Sequence, residues 1–172
     1  MKETVLYLSI LLMLSATAAG TEVPMEVEEF VFSEAAFASC HASTIEALPD
    51  GTLLAAWFGG VEEGDNSVEI WLARKKAGGQ WSAPEQMTDF PDAPCWNPVL
   101  FRDDRDHVWL FFKVGPSPMA WVSGYMISED GGTTWGETHF QPAGLLGPIK
   151  NKPITLKNGT VLAGTSVEAG RT

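Results

Sequence analysis

An all-β fold, a β-propeller present only in part, is what the sequence predicts, and three observations carry that prediction. The residues Ser128-Glu129-Asp130-Gly131-Gly132-Thr133-Thr134-Trp135 fit an Asp-box hairpin. A degraded copy, Gly78-Gly79-Gln80-Trp81-Ser82, precedes it by 54 residues, counted between the tryptophans (135 − 81). The turn Pro49-Asp50-Gly51 meets its like at Lys157-Asn158-Gly159, two intervals further on (158 − 50 = 108). Short strands and glycine-rich turns at this period indicate one four-stranded blade per repeat.

Residues 1–20 stand apart from the repeats. Lys2, the apolar run from Val5 to Leu14 and the small residues Ala16-Thr17-Ala18 read as a secretory signal peptide, with Glu3 against the pattern. The run is shorter than the roughly 18 apolar residues that suggest a membrane span. The mature chain, 21–172, is therefore expected to be secreted or periplasmic.

The first blade, about 38–92, is expected to place strand A at Ser43–Leu48, strand B at Thr52–Phe58, strand C at Val68–Lys75 and a short strand D near Glu85–Thr88. The second, about 93–147, repeats the plan at Pro98–Arg102, His107–Val114, Trp121–Ser128 and Glu137–Gln141, with the polar turn 103–106 between its first two strands. An incomplete third, 148–172, begins with Pro153–Leu156 and continues through Thr160–Ser166, across a turn expected to be type I′ at Asn158-Gly159. Strand B is an unbroken apolar run in both full copies, as suits a strand buried on both faces between stacked sheets. A closed wheel of six such blades needs about 320 residues, because propellers protect their sheets by radial closure. The chain is thus expected to be a fragment or truncated product of a longer protein.

The formal net charge is −11, which argues against nucleic acid or an anionic membrane as partner. Cys40 and Cys95 hold equivalent places in consecutive repeats, 55 residues apart (95 − 40). Both a disulfide and a pair of buried thiols fit that spacing, the bridge requiring a Cα separation of about 4.4–6.8 Å. His41, His107 and His139 show no metal-ligand spacing, and no metal or other cofactor is expected. Asn158-Gly159-Thr160 matches a glycosylation sequon, relevant only in a eukaryotic host.

Strand direction sorts the loops. A-to-B and C-to-D turns lie at one end of each meander, and there Ser128, Asp130, Gly132, Thr134 and Trp135 read as hairpin staples. The opposite end collects Cys40-His41, Cys95-Trp96-Asn97 and Lys150-Asn151-Lys152 from the D-to-A links. The B-to-C side adds Glu62-Glu63-Gly64-Asp65, Lys113 and Glu168. Polar and aromatic residues converging near a propeller axis suit a sugar-like ligand.

These strings, with Trp57-Phe58-Gly59-Gly60, Ile70-Trp71 and Gly147-Pro148-Ile149-Lys150-Asn151-Lys152-Pro153, give residues 38–170 a resemblance to the sialidase-like, bacterial neuraminidase repeat family of six-bladed propellers. The resemblance implies a glycoside hydrolase with an arginine triad, an acid/base carboxylate on a first-blade B-to-C loop and a tyrosine nucleophile assisted by a glutamate. The first triad arginine normally opens strand A, and this chain departs from that pattern with His41-Ala42-Ser43. The other arginines and the tyrosine belong to later blades.

Glu63 and Asp65 are the catalytic candidates: crowded with Glu62, one is expected to hold its proton near neutrality and donate it to a leaving oxygen. A solvated acidic loop is the competing reading. His41, Trp96, Asn97, Lys150, Asn151 and Glu168 are the substrate-binding candidates, against core packing for His41 and Trp96 and simple solvation for Lys152. The expected function is an exported glycosidase acting on terminal sugars of glycans, with this chain alone inactive. A non-catalytic carbohydrate-binding propeller and an Asp-box protein-interaction propeller are the alternatives. Oligomeric state is not legible in the sequence.

Overall fold

The computed structural model describes residues 28–168, so the expected signal peptide lies outside the described residues. Among the described residues all ten elements are strands. β1 (Ser39–Ala47), β2 (Leu53–Gly60), β3 (Glu69–Lys75) and β4 (Glu85–Gln86) form one antiparallel meander in the order β1-β2-β3-β4. β5 (Cys95–Arg102), β6 (Val108–Val114), β7 (Val122–Ser128) and β8 (His139–Phe140) form a second of the same connectivity. β9 (Ile154–Thr155) and β10 (Val161–Leu162) add a two-stranded hairpin. The fold is thus all-β and propeller-like, partial in extent.

The two meanders stack because alternate residues of their middle strands are apolar on both faces. Leu54, Ala56 and Phe58 of β2 and Ile70 and Leu72 of β3 meet Leu100, Leu110, Phe112 and Met126 in one core between the sheets. Ala55, Trp57 and Ala73 face the other way, where Phe32 stacks on Trp57 at 4.9 Å and Phe37 lies against Trp71 at 4.9 Å. Residues 30–38 therefore cover the outer face of the first sheet, a role not legible in their sequence.

Several boundaries differ from expectation. β1 and β5 begin at Ser39 and Cys95, four and three residues before the expected strand starts, because a bulge lets each strand continue through what reads as a link. The third hairpin is shorter than expected, two residues per strand. Its turn is not type I′, which needs positive φ at both central residues. Gly159 alone is left-handed (φ 82°), and its amide bonds Leu156 O at 2.9 Å, the pattern of a three-residue loop. Gly51 (φ 79°) and Asp106 (φ 64°) hold the same place in the β1–β2 and β5–β6 turns, bonding Leu48 O and Asp103 O.

The cysteines are not bridged: Cys40 is an exposed free thiol and Cys95 a buried one. Equivalent positions in successive sheets do not make facing side chains, and the Cys95 thiol is turned toward Glu69 and Thr88.

Candidate functional site

The two inner strands carry the same kink. β1 slips its register against β2 between His41 and Thr44, and β5 slips against β6 between Trp96 and Val99. A non-glycine residue in the left-handed region sits at each slip, Ala42 (φ 56°) and Asn97 (φ 43°). That conformation costs an L-residue about 1–2 kcal/mol, and a bulge re-aims the side chains beside it. Its appearance in both sheets makes it a property of the repeat, and the residues it presents are His41 and Trp96.

His41 is exposed, not core, with its ring 5.6 Å from Phe58. Phe58 lies 6.1 Å from Trp96, and Trp96 lies 6.0 Å from Trp121, so one aromatic row crosses from the first sheet to the second. Trp96 is only 8% exposed, and its Nε1 donates to Gly115 O at 2.7 Å. It packs between sheets, contrary to an open stacking platform, because Phe58 and Trp121 flank it edge-on.

The β2–β3 loop, Val61 to Ser67, is exposed and built from consecutive turns in which Asp65 N donates to Glu62 O at 3.1 Å and Val68 N to Asp65 O at 2.9 Å. Gly64, at φ 87°, supplies the left-handed residue, and a Cβ there would stand 3.5 Å from Cη2 of Trp96. The acidic loop of the first sheet thus rests on the tryptophan of the second. Asp65 does not hold a raised pKa: donation from the Ser67 hydroxyl at 2.5 Å and the Ser67 amide at 2.8 Å keeps its carboxyl below the usual range. It is an ionised turn residue. Glu62 and Glu63 are both exposed, and neither makes a side-chain hydrogen bond among the described residues.

The third-repeat link reaches back across the fold. Lys150 Nζ donates to Ser43 O at 3.3 Å, and partial burial lowers its pKa. Lys152, for which the sequence leaves both ligand binding and simple solvation open, donates to Ile45 O and pairs with Glu46. Asn151 lies exposed between them, and Asn97 is half-buried on its bulge. Glu168 is exposed beyond β10, and no described contact ties it to the other candidates. Lys113 is no loop residue: it is fully buried in β6, donating to Pro148 O at 2.7 Å and Ser123 Oγ at 3.3 Å, and burial lowers its pKa to about 8. The structure therefore gathers His41, the Glu62–Asp65 loop, Trp96, Asn97 and the Lys150 link, but not Glu168.

A family model described as a BNR repeat-like domain matches residues 51–172. The chain belongs to that family. Among solved structures, this BNR repeat-like chain is similar to a protein of unknown function from Dyadobacter fermentans at 15% identity and a TM-score of 0.56, covering 71% of this chain and 45% of that one. It is similar to the Hadza microbial sialidase Hz136 at 17% identity and a TM-score of 0.60, with coverages of 72% and 31%. An endo-1,4-beta-xylanase from Bacteroides thetaiotaomicron matches at 15% identity and a TM-score of 0.50, with coverages of 80% and 50%. The chain spans between about a third and a half of the length of these structures, and the likeness is one of fold. No curated protein matches it.

At the other end of the BNR repeat-like sheets, Asp130 Oδ1 accepts from Thr133 N at 3.0 Å, Thr134 N at 2.8 Å and the Ser128 hydroxyl at 2.8 Å, and Oδ2 accepts from Thr134 Oγ1 at 2.7 Å. Bonds from Thr134 above all lower the Asp130 pKa to about 2. Arg74 of β3 clasps this hairpin, donating to Thr133 Oγ1 and Gly131 O at 2.5 Å each, while Trp135 packs on the inter-sheet core. Every contact of the box is internal or inter-sheet. One cleft opens nearby, among Asp50, Arg74, Arg102, Asp106 and Glu129, and another between residues 30–34 and 80–84. Asp130 itself lines the first, and the catalytic and substrate-binding candidates stand outside both.

Sequence reasoning missed Glu69. It is 6% exposed, at the start of β3, and its one sequence signal is a carboxylate inside the apolar run Val68 to Leu72.

Proposed function

We propose that the chain carries part of the glycan-recognising rim of an exported glycoside hydrolase of the sialidase-like class, acting on terminal sugars, acidic or neutral. The observation that supports this reading most is Gly64 seated over Trp96, since the loop it belongs to carries the exposed carboxylates Glu62 and Glu63, and Lys150 bonds the strand that holds His41. Glu63 is the acid/base candidate. Asp65, held ionised by Ser67, shapes the loop rather than moving a proton. His41, Asn97 and Asn151 supply hydroxyl-binding groups, and Lys150 adds positive charge beside them. The resemblance to sialidase-like propellers and the similarity in fold to a protein named a sialidase support the class.

Carbohydrate binding without turnover is the second reading, favoured by the histidine at the strand-A position and by the ionised state of Asp65. Release of chromophore from a panel of aryl glycosides by the longest native form of the protein distinguishes the two. Hydrolysis by that form, abolished in Glu63→Gln, is expected; binding of glycans on an array with no hydrolysis of any substrate overturns the catalytic reading and leaves the binding one.

A further inference from the structure

Glu69 is a buried carboxylate that forms no ion pair among the described residues. Its Oε1 accepts from Phe90 N at 2.7 Å, and its Oε2 accepts from Thr88 Oγ1 at 2.5 Å and from the Cys95 thiol at 3.3 Å. Burial raises the Cys95 pKa, so the sulfur keeps its proton and remains a donor. Thr88 Oγ1 accepts in turn from Ile70 N at 2.8 Å, and Cys95 N donates to Val68 O at 2.8 Å. Three segments meet at this one side chain: the start of β3 just after the acidic loop, the 88–90 link, and Cys95, the residue before Trp96.

The meander itself does not require an acid there. Glu69 pairs with Gly59 in the first sheet, and the position matched by register in the second sheet, opposite Val114, is Val122. The strand pairing itself needs no acid, but Val122 is 50% exposed, and the buried environment of Glu69 belongs to the first sheet. A buried carboxylate is costly unless every lone pair that matters is met, and an apolar residue of similar volume is often no less stabilising. The three donors converge because the two segments that frame Gly64 and Trp96 both end on this carboxylate.

We propose that Glu69 is a positioning residue for the glycan-recognising rim: it holds the β2–β3 loop at a set height over Trp96 by tying the foot of that loop to Cys95 and to the 88–90 link. This rests on the proposed function only for what the rim recognises, not for the mechanical claim. Bonds to a charged acceptor of this kind hold a segment with an equilibrium factor of at least about tenfold. The rim keeps its shape through a strut that never touches ligand.

The test uses the full chain with Cys40→Ser as background, so that Cys95 is the remaining thiol, and compares Glu69→Val, Glu69→Gln and Thr88→Val. Thiol labelling of Cys95 by an aromatic disulfide and amide hydrogen exchange are the readouts. For Glu69→Val, labelling is expected to rise at least about tenfold, with lost amide protection confined to residues 61–69, 88–90 and Cys95, while Leu54 and Leu110 keep theirs. Glu69→Gln, which retains an acceptor for Phe90 N, is expected to restore part of that protection, and Thr88→Val to reproduce the confined loss. Loss spread evenly over both sheets in all three variants, or no change in labelling and exchange, overturns the proposal. Glu63→Gln should leave both readouts unchanged, so absence of glycan activity in the native protein would sink the functional reading while leaving the strut measurable.

Discussion

Gly132 of the second sheet lies directly on Leu54 of the first: a Cβ built on the glycine would stand 2.6 Å from Leu54 Cδ1. The glycine also holds φ 75°, and Leu54 is fully buried. The Asp-box hairpin therefore serves the contact between sheets as well as its own turn. Gly132→Ala combines left-handed strain with overpacking of a filled core and is expected to destabilise the fold by about 2–4 kcal/mol. Urea denaturation measures it; an unchanged midpoint would show that Leu54 yields freely.

Asp106 occupies the turn position that glycine holds at Gly51 and Gly159, at φ 64°, and its carboxylate pairs with Arg102 at 2.6 Å. Exposed pairs contribute little, whereas relief of left-handed strain favours glycine. Asp106→Gly is expected to raise stability by about 0.5 kcal/mol, read as a higher midpoint in the same titration.

Asp130 has a folded pKa of about 2 against an ordinary 3.8. Because the native state binds the proton more weakly, its contribution is complete above about pH 4 and is lost as pH falls toward 2. Urea midpoints measured from pH 5 to 2 should fall through that window, and Asp130→Asn, weaker throughout, should show a flatter fall.

Lys113 gives the opposite end of the pH scale. Burial without a carboxylate partner lowers its pKa from 10.5 to about 8, so the unfolded chain binds more protons between those values and stability rises with pH across them, by on the order of 3 kcal/mol. Lys113→Met should remove that rise. A parallel pH profile in the variant, recorded by chemical denaturation from pH 7 to 10.5, would contradict it.

Trp96→Phe keeps the aromatic row but strands Gly115 O, buried beside it, without its donor at 2.7 Å. A loss of about 1–3 kcal/mol is expected, measured by thermal or urea unfolding. Protection of the Gly64 loop in hydrogen exchange should fall with it.

Strand order, the unbroken apolar runs of β2 and β6, the glycine turns and the Asp box were all legible in the sequence. Each is a short-range signal: alternation, turn chemistry, or a hairpin that satisfies itself, as Asp130 does with Ser128, Thr133 and Thr134. The acidic loop and the two links were legible as a population at one end of the sheets, because strand direction alone assigns loops to ends.

What the tertiary structure decided is which of those residues are free. Ala42 and Asn97 turn left-handed to extend the inner strands, which depends on register against a neighbouring strand and not on residue type. Trp96 is covered by Phe58 and Trp121, Asp65 is claimed by Ser67, Lys113 is buried against Pro148, and Glu69 gathers three donors from two other segments. Local sequence sets the strands and turns because their energies are decided within a few residues. Exposure, proton affinity and partner choice at the rim are decided by atoms that only stacking of the sheets brings together.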